Sequence, residues 1–210
     1  MVMLQIENAG LPTVSQKAGQ SNAAGGWLCE QLVSDVLPRY TSLSQNGLVF
    51  SACYQAGSAV TNLNATCTGF ALVNPLGSGK NIFIIDLSFI QTSVAAAAAN
   101  AGLQLAANTN PVGISSYTLT TPLTVYSSLI GIASASVAKV CSSITLPAAP
   151  VAIRAIWQPS VSATATTGIP PFIKDEIAGA IGISPGCAIS MSALGAISGV
   201  TSMTWIEIPA

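Results

Sequence analysis

Apolar and polar residues alternate in short runs from Gly47 onward, and clusters of Gly, Pro, Asn and Ser separate these runs. A period of two residues is typical of a strand with one buried face, as in Ile181 and Ile183, then Ile189 and Met191. Many short strands joined by such turns are typical of a β-sandwich or barrel. We therefore predict an all-β fold with strands at residues 48–50, 69–73, 81–90, 102–106, 117–119, 137–146, 151–157, 180–183, 188–192 and 201–208.

The first 46 residues follow a different pattern. The run "SQKAGQSNAAGG" is polar and rich in small residues, which is typical of an arm or linker. The next run, "WLCEQLVSDVLPRY", has five apolar residues that can share one side of a helix, and Pro38 would end that helix. We predict an N-terminal arm over residues 1–46 with a short amphipathic helix at about 27–37, and a β-sandwich domain over 47–210; an extended docking segment is the alternative to the helix. The candidate interface residues on this segment are Trp27, Leu28, Leu32, Val36 and Leu37.

The stretch "NPLGSGKNIFII" contains a glycine-rich turn that ends in Gly-Lys, as a phosphate-binding loop does. However, Asn74 occupies the position of the first glycine, and Asn81 follows Lys80 where a Ser or Thr would bind magnesium. The β-branched and aromatic residues that come next favour a strand, so no helix N-terminus is available to hold an anion. We predict a turn between two strands and no nucleotide site.

Charged residues are unusually few in this chain. They make up 6% of the sequence, against about a quarter in ordinary soluble domains. The net charge of −1 provides no basic surface for nucleic acid. Long uncharged stretches do occur, but Pro, Gly, Asn and Ser interrupt them, so we expect no membrane insertion. A surface with so few charges is poorly protected against association, and we expect other subunits to cover much of it.

Residue types that carry catalysis or bind metals are scarce. The chain has no histidine, which excludes Ser-His and Cys-His mechanisms. The cysteines lack a Cys-x-x-Cys pair and zinc spacing, so we expect small buried residues, with an inter-subunit disulfide left open. The acidic pair in "KDE", residues 174–176, is interpreted as a solvated turn. We therefore predict no enzyme activity, cofactor, metal or small-molecule substrate. The five cysteines are Cys29, Cys53, Cys67, Cys141 and Cys187.

Two charged residues stand inside apolar strand segments. Asp86 lies within "IFIIDLSFI" and Arg154 within "VAIRAIW". An isolated buried charge is costly, so each should face solvent or find a partner. We advance the hypothesis that Asp86 and Arg154 form an ion pair across sheets or subunits.

Two stretches resemble a known group of proteins. "NPLGSGKNIFIIDLSF" resembles an Asn-Pro-x-Gly-Ser-Gly-Lys-Asn stretch in tailed-bacteriophage virion proteins of β-sandwich, jelly-roll type. The segment "KDEIAGAIGISPGCAISM…SMTWIEIP" is similar to that group's Asp-x-Asp-Gly…Pro-Gly-Gly…Trp-Glu-Glu-x-Pro ending. In this chain Cys187 replaces a glycine of the pattern and Ile206 replaces an acidic residue. The resemblance runs from about Leu48 to Pro209, with gaps around residues 93–150.

The resemblance implies a jelly-roll structural protein, often trimeric, of a capsid, tail or fibre. We expect a non-enzymatic capsid decoration or cement protein that binds the major capsid protein lattice as a homotrimer and stabilises it. The alternative is a tail- or fibre-associated protein that takes part in host receptor binding. A glycan hydrolase is disfavoured because its two carboxylates would have to come from a chain with only seven acidic residues.

Overall fold

The computed structural model describes residues 23–25, 31–33, 40–94, 102–157, 172–195 and 197–210. The chain divides into two units, residues 1–42 and 43–210. In the first unit, β1 (Ala23–Gly25) pairs antiparallel with β2 (Gln31–Val33). A continuous helix over residues 27–37 is therefore wrong for the part that is described. The isolated three-turn helix is marginal in water, and strand pairing with β1 satisfies the same backbone groups. Residues 27–30 and 34–37 lie outside the described part.

The second unit is built almost entirely of strands. A short helix, α1, precedes them at Thr41–Gln45, and a single 3-10 turn lies at Ile114–Ser116. The strands are β3 (Val49–Val60), β4 (Thr66–Val73), β5 (Lys80–Val94), β6 (Leu103–Asn108), β7 (Thr118–Pro122), β8 (Tyr126–Ser127), β9 (Lys139–Thr145), β10 (Val151–Trp157), β11 (Phe172–Glu176), β12 (Gly182–Ile183), β13 (Ala188–Ala193) and β14 (Ile197–Pro209).

These strands form two antiparallel sheets, which confirms the predicted all-β sandwich. The first sheet has the order β11-β5-β14-β3-β8, with β12 also paired to β5. The second sheet has the order β10-β6-β13-β4-β9-β7. Each sheet has six strands when the short β12 is counted. We call the first the five-stranded sheet, after the five strands in its continuous order, and the second the six-stranded sheet.

The pairing of the main strands is nested. β3 pairs with β14, β4 with β13, β5 with β11, and β6 with β10. The chain therefore resembles a long hairpin whose two arms have been rolled together. Successive strands β3, β4, β5 and β6 alternate between the two sheets, so each crossing passes over an end of the sandwich. This arrangement gathers the connecting loops at the two ends.

The main core fills the space between the sheets. Phe50 and Trp205 come from the five-stranded sheet and contact each other with ring centroids 6.4 Å apart. Phe70, Leu105 and Met191 come from the other sheet, and all five side chains are almost completely buried. Burial of one such side chain contributes about 1.5–3 kcal/mol, so this layer supplies most of the driving force for folding.

A second, smaller core lies on the outer face of the six-stranded sheet. There Cys67, Ala71 and Cys141 contact Tyr117 and Leu119, which belong to the segment between β6 and β9. The Tyr117 hydroxyl donates a hydrogen bond to the Gly186 carbonyl at 2.6 Å. The chain thereby covers the part of the outer face around Ala71 and Cys141 with its own residues. Within the described part, no helix has the length and apolar character needed to cross a membrane.

The "KDE" segment forms a strand, so its interpretation as a solvated turn is wrong. Lys174 and Glu176 are exposed, while Ile173 and Asp175 between them are half-buried in β11. This alternation satisfies the period of a strand at a sheet edge. Charged residues lie on both sides of this strand, Lys174 and Glu176 on one and Asp175 on the other, so no apolar alternation revealed it.

Candidate interaction surfaces

The glycine-rich turn connects β4 to β5 and is organised by Asn74. The buried Asn74 side chain donates hydrogen bonds through Nδ2 to the carbonyls of Lys80 and Ile183, each at 2.8 Å. Its Oδ1 accepts a hydrogen bond from the Ser78 hydroxyl at 2.7 Å. The predicted strand after this turn is confirmed as β5, which begins at Lys80, one residue before the predicted start at Asn81. The turn is thus a structural joint whose polar groups are bonded to the chain itself.

Glu207 is a completely buried carboxylate near the end of β14. Lys80, at the start of the neighbouring β5, places its Nζ 3.1 Å from Oε2. The indole Nε1 of Trp205 donates to Oε1 at 3.2 Å. The backbone N–H groups of Val137 and Ala138 donate at 3.0 and 3.3 Å, and the Ser136 hydroxyl also donates to Oε1. The carboxylate therefore joins three separate parts of the chain.

These contacts keep Glu207 ionised despite its burial. Burial by itself raises the pKa of Glu207, but the hydrogen bonds from Ser136, Val137, Trp205 and Lys80 outweigh it. The net result is a pKa below the ordinary value for a glutamate. A buried charge with this many donors fixes the position of the donors, since any movement would leave it unsatisfied.

Residues 128–138 form a loop, which we call the anchored loop. At one end the backbone N–H of Ser128 donates to the Val49 carbonyl at 3.0 Å, and that of Leu129 donates to the Ser127 hydroxyl at 3.2 Å. At the other end Glu207 holds residues 136–138. The loop is therefore fixed to the sandwich at both ends.

The anchored loop presents two isoleucines to solvent. Ile130 is 86% exposed and Ile132 is 56% exposed. Gly131 between them has a φ of 96°, a conformation that a β-branched residue rarely adopts. Large apolar side chains held rigidly in solvent are typical of binding anchors, because little conformational entropy is lost when a partner covers them.

The loops around these isoleucines carry no charged residue. The turns at 74–79, 109–116 and 184–187 are linked by backbone hydrogen bonds: Gly186 N–H donates to the Asn74 carbonyl, and Val112 N–H donates to the Gly186 carbonyl. Together with the anchored loop they form what we call the loop end, and no Asp, Glu, Lys or Arg occurs in any of the four segments. Leu76 is 55% exposed there. Lys80 is partly exposed and Lys139 is exposed, and they directly follow two of these segments, so charges lie at the border of the loop end and not within it.

Arg154 pairs with Asp175, so the proposed Asp86–Arg154 ion pair is wrong. Arg154 lies on the exposed edge strand β10, and both partners of its ion pair lie at sheet edges. Asp86 lies one strand further in, opposite Glu176 of β11. Strand β11, which the sequence pattern did not reveal, stands at the edge between Asp86 and Arg154.

The other sequence-based candidates have mixed outcomes. Leu32 belongs to β2, whereas Trp27, Leu28, Val36 and Leu37 lie outside the described residues, so their role in an interface stays a prediction. Among the described cysteines, Cys53, Cys67, Cys141 and Cys187 carry free thiols. The described parts of the chain contain no cluster of three or more ligands that could hold a metal ion.

Sequence reasoning missed Glu207, Ile130 and Ile132 as candidate residues. For Glu207 a usable signal existed, because it lies two residues after Trp205 on the same side of a strand with an apolar core face. The two isoleucines lay between the predicted strands 117–119 and 137–146, and no local pattern marked them.

Comparison with known proteins adds no relative to this description. No family model, no curated protein and no solved structure matches the chain.

Proposed function

We propose that this protein is a non-enzymatic virion structural protein, a decoration or cement protein that binds a capsid lattice as a homotrimer and stabilises it. Several observations support the proposal. The nested strand pairing matches what two Greek keys produce in a jelly roll, an architecture that viral capsid domains commonly use. The low content of charged residues suits a chain whose surface is extensively covered.

The observation that carries the proposal is the loop end with its anchored isoleucines. Ile130 and Ile132 project from a loop whose base is bonded to the buried Glu207. Since the surrounding loops are uncharged, the fitting partner is an apolar, uncharged depression on another protein. On this proposal the partner is the major capsid protein, and the loop end is the surface that faces the shell.

The copy number of the chain in purified virions tests the proposal. Quantitative mass spectrometry on virions of the encoding phage should find copies comparable in number to the major capsid subunits. A few copies per particle would favour the alternative, a tail or fibre protein that binds a host receptor. Absence of the chain from virions would refute both.

A binding experiment then tests the surface. Capsids stripped of this protein should rebind the wild-type chain and the Thr118→Asp variant, whose substitution lies on the exposed strand β7. The Ile130→Asp variant should rebind at least about tenfold more weakly, because it places a charge in the apolar contact. Equal rebinding of Ile130→Asp would show that the loop end does not face the shell.

A further inference from the structure

We propose that the outer face of the five-stranded sheet binds a second copy of this chain. This contact is a two-fold one between copies of the open face, so it is separate from the contacts that would build the proposed homotrimer and does not depend on a location in a virion. We call this surface the open face. Its residues lie in register across β11, β5, β14, β3 and β8, and Lys174, Ser88, Ser202 and Cys53 form one row across four of these strands.

The centre of the open face is flat and uncharged. Ser88 lies opposite Ser202, and Ser202 lies opposite Cys53 in the next strand. The hydroxyls of Ser88 and Ser202 are 2.6 Å apart and bond each other. This bond satisfies one of the two hydroxyl donors, so a covering subunit has to provide an acceptor for the other hydroxyl proton only. Small side chains also allow two sheets to approach closely, as stacked sheets do at about 10 Å.

Apolar side chains border this centre. Phe172 lies opposite Ile90 in register, and the two side chains are 63% and 45% exposed. Tyr126, on the opposite edge strand, is 58% exposed. A monomer gains nothing from leaving these groups in water, whereas a covering subunit removes them from it.

The charges on the open face are complementary to one another. Lys174 on β11 stands beside Glu176, and Asp86 lies on the adjacent β5, while β14, β3 and β8 present no charge on this face. A face that carries both an amine and carboxylates can pair with a copy of itself, since each amine can lie near the carboxylates of the other copy.

The opposite outer face of the sandwich is covered in part by the chain itself. Tyr117 packs there in the second core with Ala71 and Cys141, while strand β10 at the edge of that sheet stays exposed. Within the described residues no such second core lies on the face of the five-stranded sheet, which leaves that face the better one for a subunit contact.

The sheet edges are protected against strand addition. Strand β10 has two register shifts in seven residues, β11 carries Lys174 on its solvent side, β7 ends in Pro122, and β8 is only two residues long. Bulges, edge lysines, prolines and short strands are the devices that prevent edge-to-edge pairing. Two copies of the protein are therefore expected to associate through a sheet face and not through a sheet edge.

The size of the open face suits a stable contact. Five strands at about 4.8 Å spacing, around a central strand of 13 residues, present on the order of 800 Å². This area matches what each partner contributes to a standard protein–protein interface.

Cys53 provides a natural probe for the test, because its free thiol is exposed in the middle of the open face. Full-length protein is labelled with iodoacetamide, and mass spectrometry follows the Cys53 peptide while sedimentation velocity measures the assembly state. Partial burial raises the pKa of the Cys53 thiol, so labelling is run at a pH of about 8.5. Cys187, half-buried at the loop end, serves as the internal reference.

We expect Cys53 labelling to slow at least about tenfold as the protein assembles, with Cys187 unchanged. The Ser202→Arg variant should be folded and should require at least about tenfold higher concentration to assemble, whereas Thr118→Arg should assemble like wild type. If Ser202→Arg does not fold, the change in the Cys53 labelling rate of the wild-type protein is by itself the test of the contact.

Three results would overturn the inference: a monomer at all concentrations, an assembly in which Cys53 stays as reactive as in the monomer, or a monomer in which Cys53 is already protected. Protection in the assembly, combined with absence from virions, would support this contact and refute the proposed function. An assembly in which Cys53 stays reactive, combined with a copy number in virions comparable to that of the major capsid subunits, would refute this contact and support the proposed function.

Discussion

Arg154 donates two hydrogen bonds to Asp175, from Nε to Oδ2 at 2.7 Å and from Nη2 to Oδ1 at 2.9 Å. Arg154 lies on β10, the edge of the six-stranded sheet, and Asp175 lies on β11, the edge of the five-stranded sheet. The ion pair therefore joins the two sheets along one open side of the sandwich. The paired guanidinium–carboxylate geometry gives direction to the contact, although exposure to water and salt weakens it.

Replacement of Arg154 by Lys should loosen this side without unfolding the protein. An ammonium group cannot donate two parallel hydrogen bonds, so β11 loses its fixed position relative to β10. We expect faster hydrogen exchange at the β11 amides and little change in the melting temperature. The control is Lys174→Arg, which replaces an ammonium by a guanidinium at the exposed residue next to Asp175. A large drop in melting temperature for Arg154→Lys would contradict the expected local effect.

Replacement of Glu207 by Gln should destabilise the whole sandwich. The amide loses the charge that faces Lys80, and its NH₂ group points a donor at donors from Ser136, Val137, Ala138 or Trp205. We expect a loss of about 2–4 kcal/mol in the free energy of unfolding, measured by urea denaturation. Glu176→Gln, on the exposed side of β11, makes the same chemical change where water screens the contacts of the carboxylate, and should cost less than about 1 kcal/mol. Equal effects of the two substitutions would show that the buried network contributes nothing.

The same carboxylate predicts how stability depends on pH. Because the pKa of Glu207 is lower in the folded protein than in the unfolded chain, the folded state binds fewer protons. Its contribution is complete above the unfolded pKa of about 4.3 and is lost as the pH falls through the lower folded pKa. Melting temperatures of wild type and Glu207→Gln should therefore differ most near neutral pH and converge under strongly acidic conditions. A constant difference at all pH values would contradict the lowered pKa.

Replacement of Asn74 by Asp should be more harmful than its small size suggests. The substitution removes both hydrogen bonds from Nδ2 and turns an acceptor toward the carbonyls of Lys80 and Ile183. We expect a loss of about 2–4 kcal/mol at neutral pH, measured by thermal or urea unfolding. Asn64→Asp, at an exposed position, should be nearly neutral. An Asn74→Asp protein as stable as wild type would mean that the turn between β4 and β5 can rearrange.

Gly199 in β14 has no room for a side chain. A Cβ atom there would lie 2.3 Å from the Phe89 ring and 2.6 Å from the Ile90 carbonyl oxygen. We expect Gly199→Ala to cost about 1–3 kcal/mol in unfolding free energy, since Phe89 is buried and cannot move freely. Gly113→Ala is the matched control, because its nearest neighbour would be the Ser115 hydroxyl oxygen at an ordinary 3.6 Å. Equal stability of the two variants would show that the core adapts around Gly199.

The sequence predicted the strands that carry apolar alternation and missed those that do not. The period of two around Ile189 and Met191 correctly placed β13, because both side chains point into the main core. Strand β3 was predicted only at residues 48–50, although it continues to Val60. Its later part is built of Ala, Ser, Gly and Gln, which take a strand conformation because β14 pairs with them.

The candidate site was less predictable than the fold. Glu207 depends on donors from residue 80 and from residues 136–138, and no local pattern brings such distant positions together. Arg154 could be recognised as a charge in need of a partner, but the partner depended on which strand occupies the edge. The exposure of Ile130 and Ile132 follows from a loop fixed at both ends, which is a property of the assembled sandwich.

The nested pairing also sets the order of events at the ribosome. β14 follows the other strands of the sandwich in the sequence and lies in the middle of its sheet between β5 and β3, so Val49 acquires its partner Ile206 only after β14 has been synthesised. Such distant pairing slows folding, and a nascent chain holds two unfinished half-sheets until β14 has been translated. Only a chain translated through β14 can then close the sandwich, and an interrupted product exposes its core to proteases instead.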